Sequence, residues 1–217
     1  LDHEVLIQND MVFSIECGNH AYFFRIVNLF NQISNNILDE SLKIFEQDLE
    51  INCSNKVKIL FDYFNIDFSD KKYTTKLIDL VKSKFDEIET QKILSEFKKI
   101  SKLLEKNIGE VDLPITTQND FDIESVLKFM KLTIQTSTSL LDNLFLLIDV
   151  ESIFHLNYFL IFINLKSYLT TNELNELYKY ALYHEIPILL IDNCNYGIAL
   201  DNEKKLIIDD NLNEFML

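Results

Sequence analysis

Glycine and proline are scarce in this chain of 217 residues, with three and two positions respectively. Folds built only from strands need many tight turns, which these two residues supply. The scarcity therefore disfavours an all-β fold and favours long helices with a modest sheet. Arg25 is the only arginine, so lysine carries almost all of the positive charge. Apolar residues make up 47% of the chain, which is enough for a hydrophobic core and argues against disorder.

Signals for several common kinds of site are also missing. The cysteines Cys17, Cys53 and Cys194 form no CxxC pair, so free thiols in a reducing cytoplasm are expected. The histidines show no HxH or HExxH spacing, which disfavours a zinc site. No uncharged apolar run reaches 18 residues and no signal peptide is visible, so we expect a cytoplasmic protein.

Motifs for nucleotide or hydrolase chemistry are absent as well. Gly18, Gly109 and Gly197 are the only glycines, so neither GxxxxGK[ST] nor GxGxxG can occur. The GxSxG pattern of serine hydrolases is missing too. Nothing in the sequence selects catalytic residues, although a triad assembled from distant positions stays open. A degenerate or unrecognised nucleotide-binding enzyme stays open as an alternative.

Hydrophobic patterning predicts an α/β fold. Strands are predicted at 5–8 and 12–17, and the short apolar piece at 57–61 is either another strand or the start of a helix. Asn19 is a candidate cap for a helix that runs to about residue 34. Continuous apolar runs at 158–165 and 188–191 are typical of strands buried on both faces. A helix capped by Thr171 lies between them, giving a strand–helix–strand unit with a right-handed crossover. The apolar stretches 198–200 and 206–208 predict a hairpin at the edge of the sheet, with its turn around Asp201–Asn202.

A different pattern begins near residue 74, where apolar residues recur at steps of three and four. They predict two amphipathic helices, or one bent helix, with a narrow apolar stripe: Leu77, Val81, Phe85 and Ile88, then Ile93, Phe97, Ile100, Leu104 and Ile108. A narrow apolar stripe is more typical of a helical arm than of helices that surround a broad core. The predicted organisation is an α/β head at 1–70 and 121–217, interrupted by a lysine-rich helical leg at 71–120.

Charge is distributed unevenly along the chain. The net charge is −15, which by itself argues against binding to nucleic acid. Ten lysines nevertheless fall between Lys71 and Lys106 against six acidic residues. Seven-residue and four-residue spacings put several on adjoining faces of one helix, where they could follow a phosphate backbone without reading bases. The candidate DNA-binding residues are Lys92, Lys98, Lys99, Lys102 and Lys106, with Lys128 and Lys131 on a further helix. An ordinary solvated helix surface is the alternative.

Carboxylates cluster in sequence near the predicted junction of leg and head. Calcium takes six to eight oxygen ligands in flexible geometry, so such a group is a candidate site. The candidate ligands are Glu110, Asp112, Asp120, Asp122 and Glu124. Their spacing is not that of an EF-hand, and a solvated acidic loop with helix-capping aspartates is the alternative.

Four segments resemble a known family. They are LDHEVLIQND (1–10), MVFSIECGNHAYFFRIVNLFNQ (11–32), VLKFMKLTIQTSTSLLDNLF (126–145) and FLIFINLKSYLTTNELNELYKYALYHEIPILLID (159–192). Their order of strand, helix and buried strand is similar to that of the DNA-end-binding ring proteins of type II-A CRISPR systems, the Csn2 family. In that family, segment 126–145 runs as a helix, a short strand and a long helix.

This resemblance implies a fold and a function. The fold is a mainly parallel-sheet α/β head, similar to P-loop ATPases but without the P-loop, with an inserted helical leg. The function is calcium-stabilised, non-catalytic, sequence-independent binding of double-stranded DNA ends by a homotetrameric ring in the bacterial cytoplasm. It would serve spacer acquisition in antiviral defence, beside the CRISPR integrase proteins and the effector nuclease. Among the lysines, Lys128 matches a family lysine best.

A protein–protein scaffold is the main alternative from another functional class. In that case the helical leg would dock a partner helix of a defence complex, and the protein would not bind DNA directly.

Overall fold

The computed structural model describes residues 10–34, 37, 45–46, 49–50, 56–117, 121–156, 159–193 and 197–217. Its contacts divide the chain into two compact units. We call residues 1–66 together with 136–217 the head unit, and residues 67–135 the helical unit. None of the helices in the described ranges is both long and apolar enough to cross a membrane.

The described elements alternate strand and helix along much of the chain. In chain order they are β1 (Val12–Cys17), α1 (His20–Ser34), β2 (Phe45–Glu46), β3 (Leu49–Glu50), β4 (Val57–Leu60), α2 (Lys71–Lys82), α3 (Glu87–Ile108), α4 (Ile123–Phe129), α5 (Leu140–Phe154), β5 (Phe159–Ile163), a 3₁₀ turn (Leu165–Ser167), α6 (Thr171–Tyr183), β6 (Ile188–Asp192), β7 (Glu203–Ile208) and β8 (Glu214–Met216).

One sheet of six strands organises the described part of the head unit. Its order is β4-β5-β6-β1-β7-β8, and neighbouring strands are parallel except for β7 and β8. Every residue of β1, β5 and β6 is buried, as expected of strands covered on both faces. The predicted α/β class with a mainly parallel sheet is therefore confirmed.

The two faces of the central strand β1 have different chemistry because side chains alternate along a strand. Phe13, Ile15 and Cys17 form an apolar core with Ile26 and Phe30 of α1. Ser14 and Glu16 lie on the opposite face, and both are fully buried. The apolar face fixes α1 on the sheet, while the other face needs polar partners.

Several predicted elements are confirmed in the head unit. Strand β1 and helix α1 occur where expected, and the Asn19 side chain accepts a hydrogen bond from the backbone N–H of Tyr22 at 3.0 Å. The apolar runs form β5 and β6, which are adjacent and parallel with α6 between them in sequence. The strand predicted at 5–8 lies outside the described residues.

Three local predictions were wrong. The cap of α6 is Thr170 rather than Thr171, because Thr170 has the extended backbone of a capping residue. No strand forms between α4 and α5, where the family resemblance implied a short one. The tail hairpin turns at 209–213 instead of 201–202, since β7 pairs in parallel with β1 and antiparallel with β8. There the Asp209 carboxylate accepts backbone hydrogen bonds that close the turn.

The helical unit has a small core. Ile78 of α2 packs against Ile123 and Leu127 of α4, with Ile93 of α3 partly buried beside them. The break at 83–86 makes α2 and α3 two separate helices, and Gly109 forms the C-cap of α3. Residues 121–135 belong to this unit, because α4 packs against α2 and α3, whereas the sequence-based boundary assigned them to the head.

The corrected cap of α6 gives a testable consequence. Thr170 Oγ1 accepts a hydrogen bond from the N–H of Glu173, and the Glu173 carboxylate accepts one from the N–H of Thr170. Replacing Thr170 by Ala should lower the free energy of unfolding by about 1 kcal/mol, since both interactions of the capping box are weakened. Urea denaturation measures this change. Thr171→Ala is the matched control, and an equal loss in both variants would contradict the assignment.

Candidate nucleic-acid interface

The lysines of α3 lie on one side of the helix. The N-terminus is fixed by a capping box between Asp86 and Glu89. At 100° per residue, the five predicted lysines of α3 (Lys92, Lys98, Lys99, Lys102 and Lys106) fall on the side opposite its apolar stripe, and all five are exposed. At 1.5 Å per residue this lysine face is about 21 Å long, several phosphate spacings of a DNA strand.

Few of these lysines are neutralised by neighbouring acids. Lys99 pairs with Glu96 at 2.7 Å within the same helix, and Lys128 pairs with Glu124 at 2.6 Å. Both pairs are solvent-exposed, and such pairs contribute little and exchange readily for other partners. The remaining predicted lysines form no ion pair with any described residue: Lys92, Lys98, Lys102, Lys106 and Lys131. The face is therefore open to an external polyanion.

The pair on α4 has shifted pKa values. The hydrogen bond and charge of Glu124 raise the pKa of Lys128, and Lys128 in turn lowers the pKa of Glu124. Lys82 also approaches Glu124, with 3.6 Å between its Nζ and the carboxylate. The Lys128 amine is therefore engaged within the helical unit, in contrast to most lysines of α3.

The predicted calcium ligands are dispersed in the structure. Asp122 is the N-cap of α4, and hydrogen bonds from Ser125 lower the pKa of its carboxyl group. Glu124 is paired with lysines as described above, while Glu110 and Asp112 are exposed in the segment after α3. Asp120 lies outside the described residues. Within the described ranges, no three Asp, Glu, His or Cys side chains are grouped to hold a metal, so these four carboxylates do not fit calcium as placed.

The link between β1 and α1 is short and lies beside an acidic side chain. Only Gly18 and Asn19 connect β1 to α1, whereas the phosphate-binding motif spans eight residues. A Cβ atom on Gly18 would lie 3.1 Å from Oδ1 of Asp210, and the Asn19 side-chain amide donates to the backbone oxygen of Asp210 at 3.0 Å. A carboxylate beside this link opposes the approach of phosphate.

Sequence reasoning missed a buried ionic network in the head unit. Nζ of Lys166 lies 2.7 Å from Glu16 and 2.6 Å from Glu203, while Nζ of Lys205 lies 2.7 Å from Glu16. The four side chains are at most 2% exposed. They join β1, β7 and the 3₁₀ turn after β5. The available signal was charge next to buried strands: Glu16 within a predicted strand, and Lys166 directly after the apolar run 158–165.

Two further groups surround this network. Tyr178 donates a hydrogen bond to Glu203 at 3.1 Å, and burial raises the pKa of its hydroxyl group. Asp192 accepts from the backbone N–H of Lys166 at 3.1 Å, and burial raises its pKa to about 7 against the opposing effect of Lys166. When Asp192 is protonated, the amines of Lys166 and Lys205 are balanced by the carboxylates of Glu16 and Glu203.

Removing one charge from this network should destabilise the head unit. Lys166→Met would leave Glu16 and Glu203 without one of their two amines in the core, and breaking a buried pair costs about 3–5 kcal/mol. Lys179→Met, at an exposed position of α6, should change stability by less than about 0.5 kcal/mol. The urea concentrations at the unfolding midpoints of the two variants measure this difference in stability. Equal midpoints would show that the Lys166 amine contributes no net stability.

Comparisons with known proteins bear on the family and on the fold of this chain. The family model described as "CRISPR-associated protein (Cas_Csn2)" matches residues 35–212. A solved structure, "Crystal structure of Stu0660 of Streptococcus thermophilus", superposes with a TM-score of 0.62 at 10% sequence identity. The match covers 94% of this chain and 71% of that one, and at this identity it establishes similarity of fold. The comparison with curated proteins finds no match.

Proposed function

Because the chain belongs to the Csn2 family of CRISPR-associated proteins, we propose that it binds ends of double-stranded DNA without reading base sequence. It would act as a ring of four copies that supports acquisition of new spacers in bacterial antiviral defence. The observation that carries the proposal is the exposed lysine face of α3, on which four of the five amines have no acidic partner among the described residues.

The large negative charge of the chain is compatible with this proposal if charges are segregated. Lysine faces turned toward a shared opening would attract phosphates, while carboxylates would face away from it. Lysines make point-charge contacts and do not form the planar forks with which arginine recognises guanine. Binding through such a face is expected to depend on the DNA backbone and to be insensitive to sequence.

A non-catalytic role is part of the proposal. It is supported by the two-residue link between β1 and α1 and by the carboxylate of Asp210 beside it, since both disfavour phosphate binding. Nucleotide-dependent chemistry, the other alternative, would have to use a different position. Calorimetric titration with ATP distinguishes a non-catalytic protein from a nucleotide-binding enzyme, because micromolar affinity for ATP would support the enzyme.

Partners and location are proposed on the same basis. The protein would work in the bacterial cytoplasm with the CRISPR integrase proteins and the effector nuclease. Calcium would neutralise carboxylates of the acidic segment, drawn from Glu110, Asp112, Asp120, Asp122 and Glu124. Because the four described ones do not converge in this arrangement, binding would require them to move or to be joined by Asp120.

A protein–protein scaffold is the second candidate function. It is favoured by apolar side chains exposed on the second half of α3, such as Leu103 at 69% and Leu104 at 59%. In that case the helical unit would bind a partner protein, and linear duplex DNA would not bind at moderate salt.

Substitution of the lysine face tests direct DNA binding. The triple variant Lys98→Gln, Lys102→Gln, Lys106→Gln should bind linear duplex at least about tenfold more weakly at 100 mM salt, because up to three phosphate contacts are lost. The slope of log affinity against log salt should fall by about 2–3. Fluorescence anisotropy with end-labelled duplex measures both quantities.

The matched control removes the same charge from elsewhere in the helical unit. Lys71, Lys76 and Lys84 are exposed in α2 and just after it, so their triple change to Gln alters net charge equally. The control should keep wild-type affinity within about twofold. Equal weakening of both variants would show a general charge effect and contradict a defined face. Equal binding to closed circles and linear fragments would contradict the ring.

Solution mass tests the assembly and its dependence on calcium. In millimolar calcium, light scattering should give four times the chain mass, and chelation should lower it because carboxylates then repel one another. Magnesium at the same concentration is the control for general ionic effects. A monomer under all three conditions would remove the basis for the ring.

A further inference from the structure

A cluster of aromatic side chains lies in the head unit where the parallel strands β4 and β5 end. Tyr63 follows β4 and is buried, and its hydroxyl group donates a hydrogen bond to the backbone oxygen of Ile163 at 2.8 Å. Ile163 is the last residue of β5, so this hydrogen bond joins the segment after β4 to the neighbouring strand. The Tyr63 ring packs against the ring of Tyr168, which directly follows the 3₁₀ turn, with 5.4 Å between the two centroids. The cluster is therefore anchored to the buried sheet.

Phe64 is exposed although its backbone is held in place. It is 82% exposed, and its ring meets the ring of Tyr168, which is 49% exposed, edge-on at a centroid distance of 5.8 Å. The Asp62 carboxylate accepts a hydrogen bond from the backbone N–H of Phe64 at 2.9 Å and one from the side-chain amide of Asn65 at 2.6 Å. Aspartate commonly closes a turn in this way. Phe64 and Tyr168 therefore present two adjoining rings to solvent in a defined arrangement.

An ionised carboxylate accompanies the two rings, and we define the aromatic patch as Asp62, Phe64 and Tyr168. The hydrogen bonds from Asn65 and Phe64 lower the pKa of the Asp62 carboxyl group, so it is charged at neutral pH. Among the residues that the structure describes, no lysine or arginine forms an ion pair with Asp62 or lies over either exposed ring. The patch thus lacks the cation that its carboxylate and its ring faces both attract.

The charge of the head unit decides which kind of ligand fits the aromatic patch. Residues 1–66 and 136–217 include 22 acidic side chains and eight basic ones, a net charge of −14. The helical unit, with 13 acidic and 12 basic side chains, carries only −1. Exposed aromatic rings can stack on nucleic-acid bases, but the phosphates of such a ligand would be repelled by the head unit. A positively charged ligand would be attracted to it.

We propose that the aromatic patch binds an arginine side chain in a basic segment of a partner protein. The guanidinium group would lie over the exposed ring of Phe64 and pair with the carboxylate of Asp62. Arginine fits better than lysine, because its guanidinium group is planar, weakly hydrated and stacks on aromatic rings. The inference goes beyond the proposed function, since DNA is assigned to the lysine face of the helical unit and the aromatic patch belongs to the head unit.

A short basic peptide tests the proposal. A fluorescein-labelled hexapeptide of alternating glycine and arginine should bind the full chain at about 50 mM salt. The double variant Asp62→Asn, Phe64→Ala should bind it about tenfold more weakly, because an ion pair and a cation–π contact are lost. Asparagine keeps the side-chain oxygen that accepts from the backbone N–H of Phe64, so the turn is retained. Fluorescence anisotropy gives the dissociation constants, and the same peptide with lysine in place of arginine should bind more weakly.

The matched control removes one carboxylate and one exposed ring from another part of the head unit. Glu176 is exposed on α6, and Tyr183 at the end of the same helix is 81% exposed. The double variant Glu176→Gln, Tyr183→Ala therefore changes charge and aromatic surface to the same extent as the patch variant. It should keep wild-type affinity for the arginine peptide within about twofold. Circular dichroism checks that both double variants are folded.

Three outcomes would overturn the inference. One is a wild-type protein that does not bind the arginine peptide at about 1 mM. A second is equal weakening by the patch variant and the control variant, which would show a general attraction to an acidic surface. The third is a single-stranded thymidine oligonucleotide that binds the wild type and loses affinity in the patch variant, since the rings would then serve to stack bases.

The same variants distinguish failure of this inference from failure of the proposed function. The patch variant should bind linear duplex DNA like the wild type, and the triple variant Lys98→Gln, Lys102→Gln, Lys106→Gln should bind the arginine peptide no more weakly than the wild type. A protein that binds the peptide through the patch and binds no DNA would support the inference and refute the function. A protein that binds DNA ends but not the peptide would refute the inference and leave the function intact.

Discussion

The contacts of Lys166 and Lys205 with Glu16 and Glu203 join the centre of the sheet. They connect β1, β7 and the 3₁₀ turn after β5, which are far apart in sequence but adjacent in the head unit. Charges inside a protein are tolerated only when they are paired and hydrogen-bonded, so each member of the network depends on the others. The apolar core on the opposite face of β1 packs against α1, whereas this network links β1 to β7 and to the turn after β5.

Lysine serves two different roles in this chain. In the head unit, two buried amines are matched by carboxylates within 2.7 Å and are shielded from solvent. On α3, most amines are exposed and have no acidic partner among the described residues. A net charge of −15 hides this difference, because the sum does not show where individual charges stand. The proposed binding to DNA depends on their position and on how copies assemble.

Local sequence patterns predicted those helices and strands whose signal lies within their own residues. Continuous apolar runs predict β5 and β6, an alternating or apolar stretch predicts β1, and steps of three and four predict α2 and α3. One error arose because two adjacent residues, Thr170 and Thr171, are nearly equal as candidate caps of α6. Another arose because the pairing partners of β7 are distant in sequence. Charges beside buried strands indicated buried ions, but their pairing was not predictable, since it depends on register between strands that are far apart in the sequence. Carboxylates in the acidic segment were ambiguous because aspartate serves equally as helix cap and as metal ligand. The lysine face was found from spacing, but its assignment to DNA came from resemblance to a family.

The position of β1 at the centre of the sheet has a consequence for how the chain folds. Phe13 pairs with Leu189 on one side and with Lys204 on the other. Ribosomes add about 5–20 residues per second, so this strand stays without its partners for roughly ten to forty seconds of translation. The helical unit closes on contacts between residues 67 and 135 and can form well before then. A newly made chain thus exposes β1 until residues 188–208 have been made, and it then depends on rapid closure or on a chaperone to avoid aggregation.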